Sequence, residues 1–227
     1  MPKMSGIEYN EDYFERGLQT GKSNYQNYRW IPELTIPMAM SIIDFLELKP
    51  EHKILDFGCA KGYLVKALRL LRRQAWGVDI SQYALSCTDP EVSQYCALSA
   101  HQGNLPKHFD FCIAKDVFEH LTEKGLVSEL KKLPADYLFA VIPLGDSPIY
   151  RAPLNNCDVT HRICANEHWW ETFFVENGYE LLTFRHKIEG IKDAYYGKFP
   201  KAHGFFVLRK SKGNKEKRKR FAVEKER

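Results

Sequence analysis

The stretch Ile54-Leu55-Asp56-Phe57-Gly58-Cys59-Ala60-Lys61-Gly62, with the amphipathic segment Tyr63 to Leu71 behind it and Gly77-Val78-Asp79-Ile80-Ser81 further on, decides how this chain is read. Lys53 to Phe57 is an apolar run of strand length, the turn after it is crowded with small residues, and Ala75 to Val78 is a second short strand. Strand, tight turn, helix and strand make a βαβ unit. Two familiar glycine loops are excluded by spacing. A dinucleotide fingerprint, G-x-G-x-x-G counted from Gly58, meets Ala60 and Tyr63 where glycine is required. Gly21-Lys22-Ser23 resembles the end of a phosphate loop, but the first glycine of G-x-x-x-x-G-K-[ST] falls on Arg16 and no apolar strand precedes it.

Outward from this unit the alternation continues. Pro37 to Leu46 is expected to be a helix, with Thr35 near its start and Pro37 in its first turn. Ser81 caps a short helix, a weaker strand lies near Ser93 to Ala97, and Phe109 to Ala114 and Tyr137 to Ile142 are strands separated by a helix from Leu126 to Lys132. Asn166 and Gly178 bracket a helix over Glu167 to Asn177. Such alternation builds a largely parallel sheet covered on both faces. Tyr179 to Ile188 and Gly204 to Arg209 are strands with no full helix between them, so the last strand is expected to run antiparallel.

The composition is that of an ordinary globular protein: 227 residues, 44% hydrophobic and 27% charged, enough for one large hydrophobic core. Net charge is +4, but from Arg209 to Arg227 there are ten Lys or Arg against three Asp or Glu, leaving 23 basic and 26 acidic residues before them. The positive excess therefore belongs to a tail, expected to be disordered from Ser211. No apolar run reaches membrane-spanning length, and the first eight residues do not read as a signal peptide, so a cytoplasmic location is expected. The six cysteines form no Cys-x-x-Cys pair, and most stand in apolar surroundings, so free and largely buried thiols are expected.

The glycine loop and the acid closing the second strand resemble the class I S-adenosylmethionine-dependent methyltransferases, whose first loop reads D/E-x-G-x-G-x-G. The likeness extends through Leu105-Pro106, the strand Phe109 to Ala114, and Lys115-Asp116-Val117-Phe118-Glu119-His120-Leu121, which is similar to the family's D/E-x-x-E-H stretch. Ala60 departs from the usual glycine and narrows the loop. The resemblance implies an α/β, Rossmann-like fold: a mostly parallel seven-stranded sheet with helices on both faces and an antiparallel last strand. It implies a methyltransferase domain over residues 36–210, an aromatic-rich lid segment over 1–35 and the basic tail over 211–227. S-adenosyl-L-methionine is the implied cofactor, contacted by Asp56, Gly58, Cys59, Ala60, Gly62, Asp79, Ile80, Ser99 and Asp116. Small residues let the backbone approach the ligand, and the Asp79 carboxylate can accept both ribose hydroxyls.

Methyl transfer from a sulfonium needs alignment above all, worth on the order of 7 to 11 kcal/mol, and a base adds about 10² to 10⁴ in rate. His120 and His161 are the base candidates, with Glu119 beside them. His161 stands in Asp158-Val159-Thr160-His161-Arg162-Ile163, which is similar to the His-containing segment of the ubiquinone-pathway O-methyltransferases. In methyltransferases that protect small-RNA ends, the D/E-x-x-E-H groups join a later histidine on a divalent metal, so Asp116, Glu119, His120 and His161 can be ligands here. A helix cap or structural hydrogen bonds are the third role open to Glu119 and His120.

Tyr9, Tyr13, Phe14, Tyr25, Tyr28 and Trp30 crowd the chain ahead of the domain, where rings pack a lid to the body. Of the adjacent Trp169 and Trp170 only one can face the core, and Glu189 to Lys201, with Tyr195 and Tyr196, is a candidate pocket wall. The expected function is methylation of a small polar acceptor, a sugar or natural-product intermediate, at oxygen ahead of nitrogen. Nucleic-acid methylation through the basic tail, and non-catalytic cofactor binding, are the alternatives. The slightly acidic body and the absence of an Asn/Asp-Pro-Pro-Tyr/Phe signature weigh against nucleic acid.

Overall fold

A computed structural model describes residues 9–101, 103 and 105–211. Two short N-terminal helices, α1 (Glu11–Glu15) and α2 (Gly17–Thr20), precede α3 (Pro32–Phe45). There follow β1 (Lys53–Phe57), α4 (Tyr63–Leu70), β2 (Gln74–Asp79), α5 (Gln82–Ser86), α6 (Pro90–Ser93), β3 (Cys96–Leu98) and β4 (Phe109–Lys115). After a 3₁₀ turn at Phe118–His120 come α7 (Glu123–Lys132), β5 (Ala135–Pro143), the small hairpin β6 (Gly145–Asp146) and β7 (Ile149–Tyr150), and a second 3₁₀ turn at Pro153–Cys157. The chain then runs through α8 (Glu167–Glu176), β8 (Tyr179–Arg185), α9 (Asp193–Tyr196) and β9 (His203–Lys210).

Seven strands form one sheet in the order β3-β2-β1-β4-β5-β9-β8, with β9 antiparallel to both of its neighbours. Strand residues alternate between two cores. Leu55, Cys112, Leu138, Ala140 and Phe206 face α7 and α8, while Ile54, Ile113, Phe139, Val141 and Phe205 face α3 and α4. With both faces covered, the central strands read as continuous apolar runs. In α4 the buried positions Leu64, Val65, Ala67 and Leu68 recur at helical spacing and lie on the sheet. Trp170 is fully buried, whereas Trp169 is only partly so and stacks on Phe173 at 4.9 Å.

Several boundaries differ from the sequence expectation. The first long helix begins five residues before Pro37, because Pro32 supplies the first-turn proline and Pro37 sits inside the helix. β8 ends at Arg185, and the chain then turns through a bridge between Ile188 and Ile191. Glu119 and His120 belong to a 3₁₀ turn and do not open a longer helix. All six cysteines are free, but Cys87 and Cys157 are exposed. The tail assignment beyond Ser211 lies outside the described residues. Among those described, no helix is long and apolar enough to cross a membrane.

Candidate active site

The turn between β1 and α4 is built by backbone conformation. Gly58 (φ +82°) and Gly62 (φ +74°) occupy the left-handed region, and a Cβ on Gly58 would stand 2.5 Å from Val117. Ala60, the departure from the glycine pattern, takes φ +49° and is held there by donating its N–H to Asp79 Oδ2 at 2.7 Å. Asp79 Oδ1 accepts the Ser81 N–H, also at 2.7 Å. Burial raises the Asp79 carboxyl and these amide donors oppose it. Each oxygen retains acceptor capacity beyond the one amide, so two hydroxyls can still be received. The loop thus fits the implied cofactor: it has room for close backbone approach, and its carboxylate stands at the carboxyl end of β2.

The other expected cofactor contacts surround this loop. Ser99 donates its N–H to the Asp79 carbonyl at 2.8 Å, while Ile80 is partly exposed beyond β2. Asp56, at the penultimate position of β1, is buried, and burial raises its pKa to about 7, with Lys115 opposing and Asp79 adding to the rise. Cys59 is buried against Gly77. Asp116 follows β4 in a left-handed conformation (φ +57°), its Oδ2 receiving both Lys115 Nζ and Lys192 Nζ at 2.6 Å. Burial would raise that carboxyl, but the lysines prevail and hold it well below the usual carboxylate range.

Glu119, His120 and His161 come together as expected. Their potential ligand atoms lie within 4.8 Å of one another, and the two imidazole centroids are 4.7 Å apart. Neither Glu119 oxygen nor His161 Nδ1 has a hydrogen-bond partner, although all are buried. Burial, then the Asp116 charge, pushes the Glu119 carboxyl well up. Burial, then His161, lowers His120 to about 4, and burial lowers His161 against the pull of Asp158. The segment carrying His161 is fixed by the Arg162 and Ile163 amides, which both donate to the Glu119 carbonyl at 2.7 and 3.0 Å. Asp116 does not complete a four-ligand set, because the two lysines already engage it.

A cluster of rings roofs this interior. Tyr9, Tyr13, Phe14, Tyr25 and Tyr28 pack on one another and on Tyr83, and Tyr9 reaches the His120 ring at 5.8 Å. Tyr13 donates its hydroxyl to Asp158 at 2.9 Å. Lys61, in the glycine loop itself, ties down the roof through Glu15 Oε1 at 2.5 Å and the Tyr28 carbonyl at 2.7 Å. Sequence reasoning passed over Lys61, Lys115, Lys192, Thr160 and His203. Only Lys61 had a signal, a long cation between two residues of a loop otherwise made small. An open groove of about 610 Å³ lies elsewhere, lined by Thr122, Asp146, Arg162, Cys164 and Trp169 among others, and none of the cofactor or histidine residues reaches it.

Sheet order, glycine loop and acid at the end of β2 are arranged as in the class I S-adenosylmethionine-dependent methyltransferases. A family model described as a methyltransferase domain matches residues 33–132, the stretch that carries the glycine loop, Asp79 and the Glu119–His120 turn. No curated protein matches this chain in sequence. Similar solved structures include an S-adenosylmethionine-dependent methyltransferase from Clostridium acetobutylicum, at 14% identity and a TM-score of 0.56, covering 78% of this chain and 92% of that one. The methyltransferase domain of a bacterial Hen1 protein is 21% identical with a TM-score of 0.55, covering 78% and 99%. The CcbJ methyltransferase from Streptomyces caelestis is 11% identical with a TM-score of 0.56, covering 78% and 90%. These likenesses are of fold.

Proposed function

We propose that this methyltransferase acts on a hydroxyl of a small polar acceptor, a sugar or natural-product intermediate. His120 and His161 take up the hydroxyl proton, and residues 9–35 act as a lid over the site. S-adenosylmethionine supplies a methyl group already activated on a sulfonium. The chain's own residues then have two tasks: to hold the acceptor oxygen in line and to take its proton.

One observation carries the reading: two imidazoles kept neutral by burial stand beside the unpartnered Glu119 carboxyl, at the carboxyl end of β4 and under a roof of rings. A neutral imidazole is a competent base at physiological pH, and a base of this kind contributes about 10² to 10⁴ in rate. The roof excludes water, which strengthens every polar interaction beneath it. The cover of packed rings over these side chains favours a small acceptor over a polymer, and ligands of open α/β sheets gather at these strand ends.

The close approach of Glu119, His120 and His161 favours one second reading, in which the three donors hold a divalent cation. The cation would lower the pKa of a bound acceptor hydroxyl. Labelled S-adenosylmethionine incubated with a host metabolite extract, with and without chelator, tests both readings. A small labelled product that forms in chelator supports the bases, and one that needs added Mg²⁺, Mn²⁺ or Zn²⁺ supports the cation. Labelled nucleic acid with no small product would overturn the acceptor assignment.

A further inference from the structure

Two ammonium groups meet one half-buried carboxylate oxygen. Lys115 Nζ and Lys192 Nζ both stand 2.6 Å from Asp116 Oδ2. The two lysines share this single carboxylate in direct contact, and Glu119, the next carboxyl along the chain, hydrogen-bonds neither of them. The three side chains are half-buried, so an ammonium that shares its only contacting carboxylate can still receive a further anion from solvent. Both Asp116 (φ +57°) and Lys192 (φ +64°) are also held in the left-handed backbone region. Each costs on the order of 1 to 3 kcal/mol there, and strain of this kind clusters at ligand clamps. Asp193 anchors the turn by accepting the Gly190 N–H at 3.0 and 3.1 Å, leaving the neighbouring Lys192 to engage Asp116.

A second, independent feature lies beside the lysines. His203 is completely buried, and neither of its ring nitrogens has a hydrogen-bond partner. Its ring rests edge-on against Tyr195 at 4.7 Å, the same ring over which Lys192 Nζ stands at 5.6 Å from the centroid, and it pairs in register with Pro143 at the carboxyl end of β5. A neutral imidazole always has one N–H to donate. An ammonium that shares its only contacting carboxylate and an idle buried donor suit an anion.

Sheet order says which ligand brings the anion. The glycine loop and Asp79 follow β1 and β2, on one side of β4, whereas His203 and Lys192 belong to the β5, β9 and β8 side. Asp116 directly follows β4, and Glu119 and His120 stand in the turn right after it, against His161, so the cluster borders the place where the acceptor's proton is removed. We propose that Lys192 and His203 form an anion subsite that binds a carboxylate or phosphate carried by the methyl acceptor. The inference rests on the methyltransferase reading of this site and narrows its acceptor to an anionic hydroxy compound.

The test uses the full chain saturated with S-adenosylhomocysteine, titrated at low ionic strength with inorganic phosphate and, separately, with benzoate. Saturable binding of either is expected, weakened at least tenfold in Lys192→Met and largely restored in Lys192→Arg, with S-adenosylhomocysteine affinity changed less than twofold. Wild type that binds S-adenosylhomocysteine but neither anion overturns the proposal. So does a Lys192→Met protein that loses S-adenosylhomocysteine, since the cationic group would then serve the cofactor. Wild type that fails to bind S-adenosylhomocysteine defeats the underlying methyltransferase reading, which separates the two failures. Should Lys192→Met not fold, the wild-type titration and Lys192→Arg still decide the matter.

Discussion

His120 Nδ1 lies 2.8 Å from Thr160 Oγ1, and a second contact sets the direction of the bond between them. The Thr160 hydroxyl donates its one proton to Asp158 Oδ1 at 2.5 Å, so toward His120 it can only accept. Nδ1 therefore carries the imidazole proton, and Nε2, which lies 3.9 Å from Glu119 Oε1, presents its lone pair to the Glu119 and His161 cluster. Asp158 is also the acceptor for Tyr13, so the chain of bonds joins the N-terminal rings, the 158–160 loop and His120.

Thr160→Val removes the acceptor and frees His120 to change tautomer. Nitrogen-15 NMR of the ring should show one tautomer in the wild type and a mixture in Thr160→Val, with Thr160→Ser restoring the first. Turnover in the valine variant should fall about 10- to 100-fold, less than the roughly 10² to 10⁴ of a base lost outright, because part of the population keeps the productive tautomer. A single unchanged tautomer in Thr160→Val would refute the assignment.

His161→Asn should lower turnover by about 10² or more while leaving S-adenosylhomocysteine affinity within a fewfold, because the cofactor loop is made of other residues. Calorimetric titration alongside steady-state kinetics separates the two. Full activity in this variant would leave positioning as the source of catalysis.

Asp79→Ala removes an acceptor for two hydroxyls, each charge-assisted bond being worth about 1.5 to 3 kcal/mol. It also releases the Ala60 and Ser81 amides. S-adenosylhomocysteine affinity should fall tenfold to over a hundredfold by calorimetry, and equal affinity would contradict the role given to this residue.

Asp56 connects pH with stability. Its folded-state pKa is raised to about 7 from an ordinary 3.8, so between these values the native state holds a proton that the unfolded chain has lost. Stability from this group is present below pH ~4 and declines as pH rises toward 7, at up to about 1.4 kcal/mol per pH unit. The ligand-free Asp56→Asn protein should be more stable than wild type at pH 8 in denaturant melts, and the gain should vanish at pH 4. His120 and His203, lowered to about 4 and about 3, act in the opposite sense, their contribution being lost as pH falls below 6.5. Both variants share that background, so it cancels in the comparison.

Lys61→Met cuts the tie between the glycine loop and Glu15. Amide exchange over Tyr13 to Tyr28 should quicken severalfold while the β4 and β5 amides stay protected, because only the roof is released. Unchanged exchange over the roof would show that its rings hold it down unaided.

The sequence by itself determined the sheet and the glycine loop with the acid that closes β2. Apolar runs of strand length, caps such as Ser81 and Asn166, and small residues at 58, 60 and 62 are local signals, because hydrogen bonding and backbone sterics act between near neighbours in the chain. Glu119, His120 and His161 were legible as chemistry-bearing residues for the same reason, through a short motif. The start of α3 was misplaced because two prolines, Pro32 and Pro37, both suit a first turn, and only the packing of Ala39, Ile42 and Ile43 against α4 shows how far the helix extends. Tertiary structure alone decided which charges meet: Lys192 is 76 residues from Asp116, and Tyr13 is 145 from Asp158. Desolvation and ion pairing depend on what the fold brings into contact, and no periodicity in the chain encodes a contact across such distances. Asp116, a ligand candidate by motif, is for that reason a lysine partner in the folded protein.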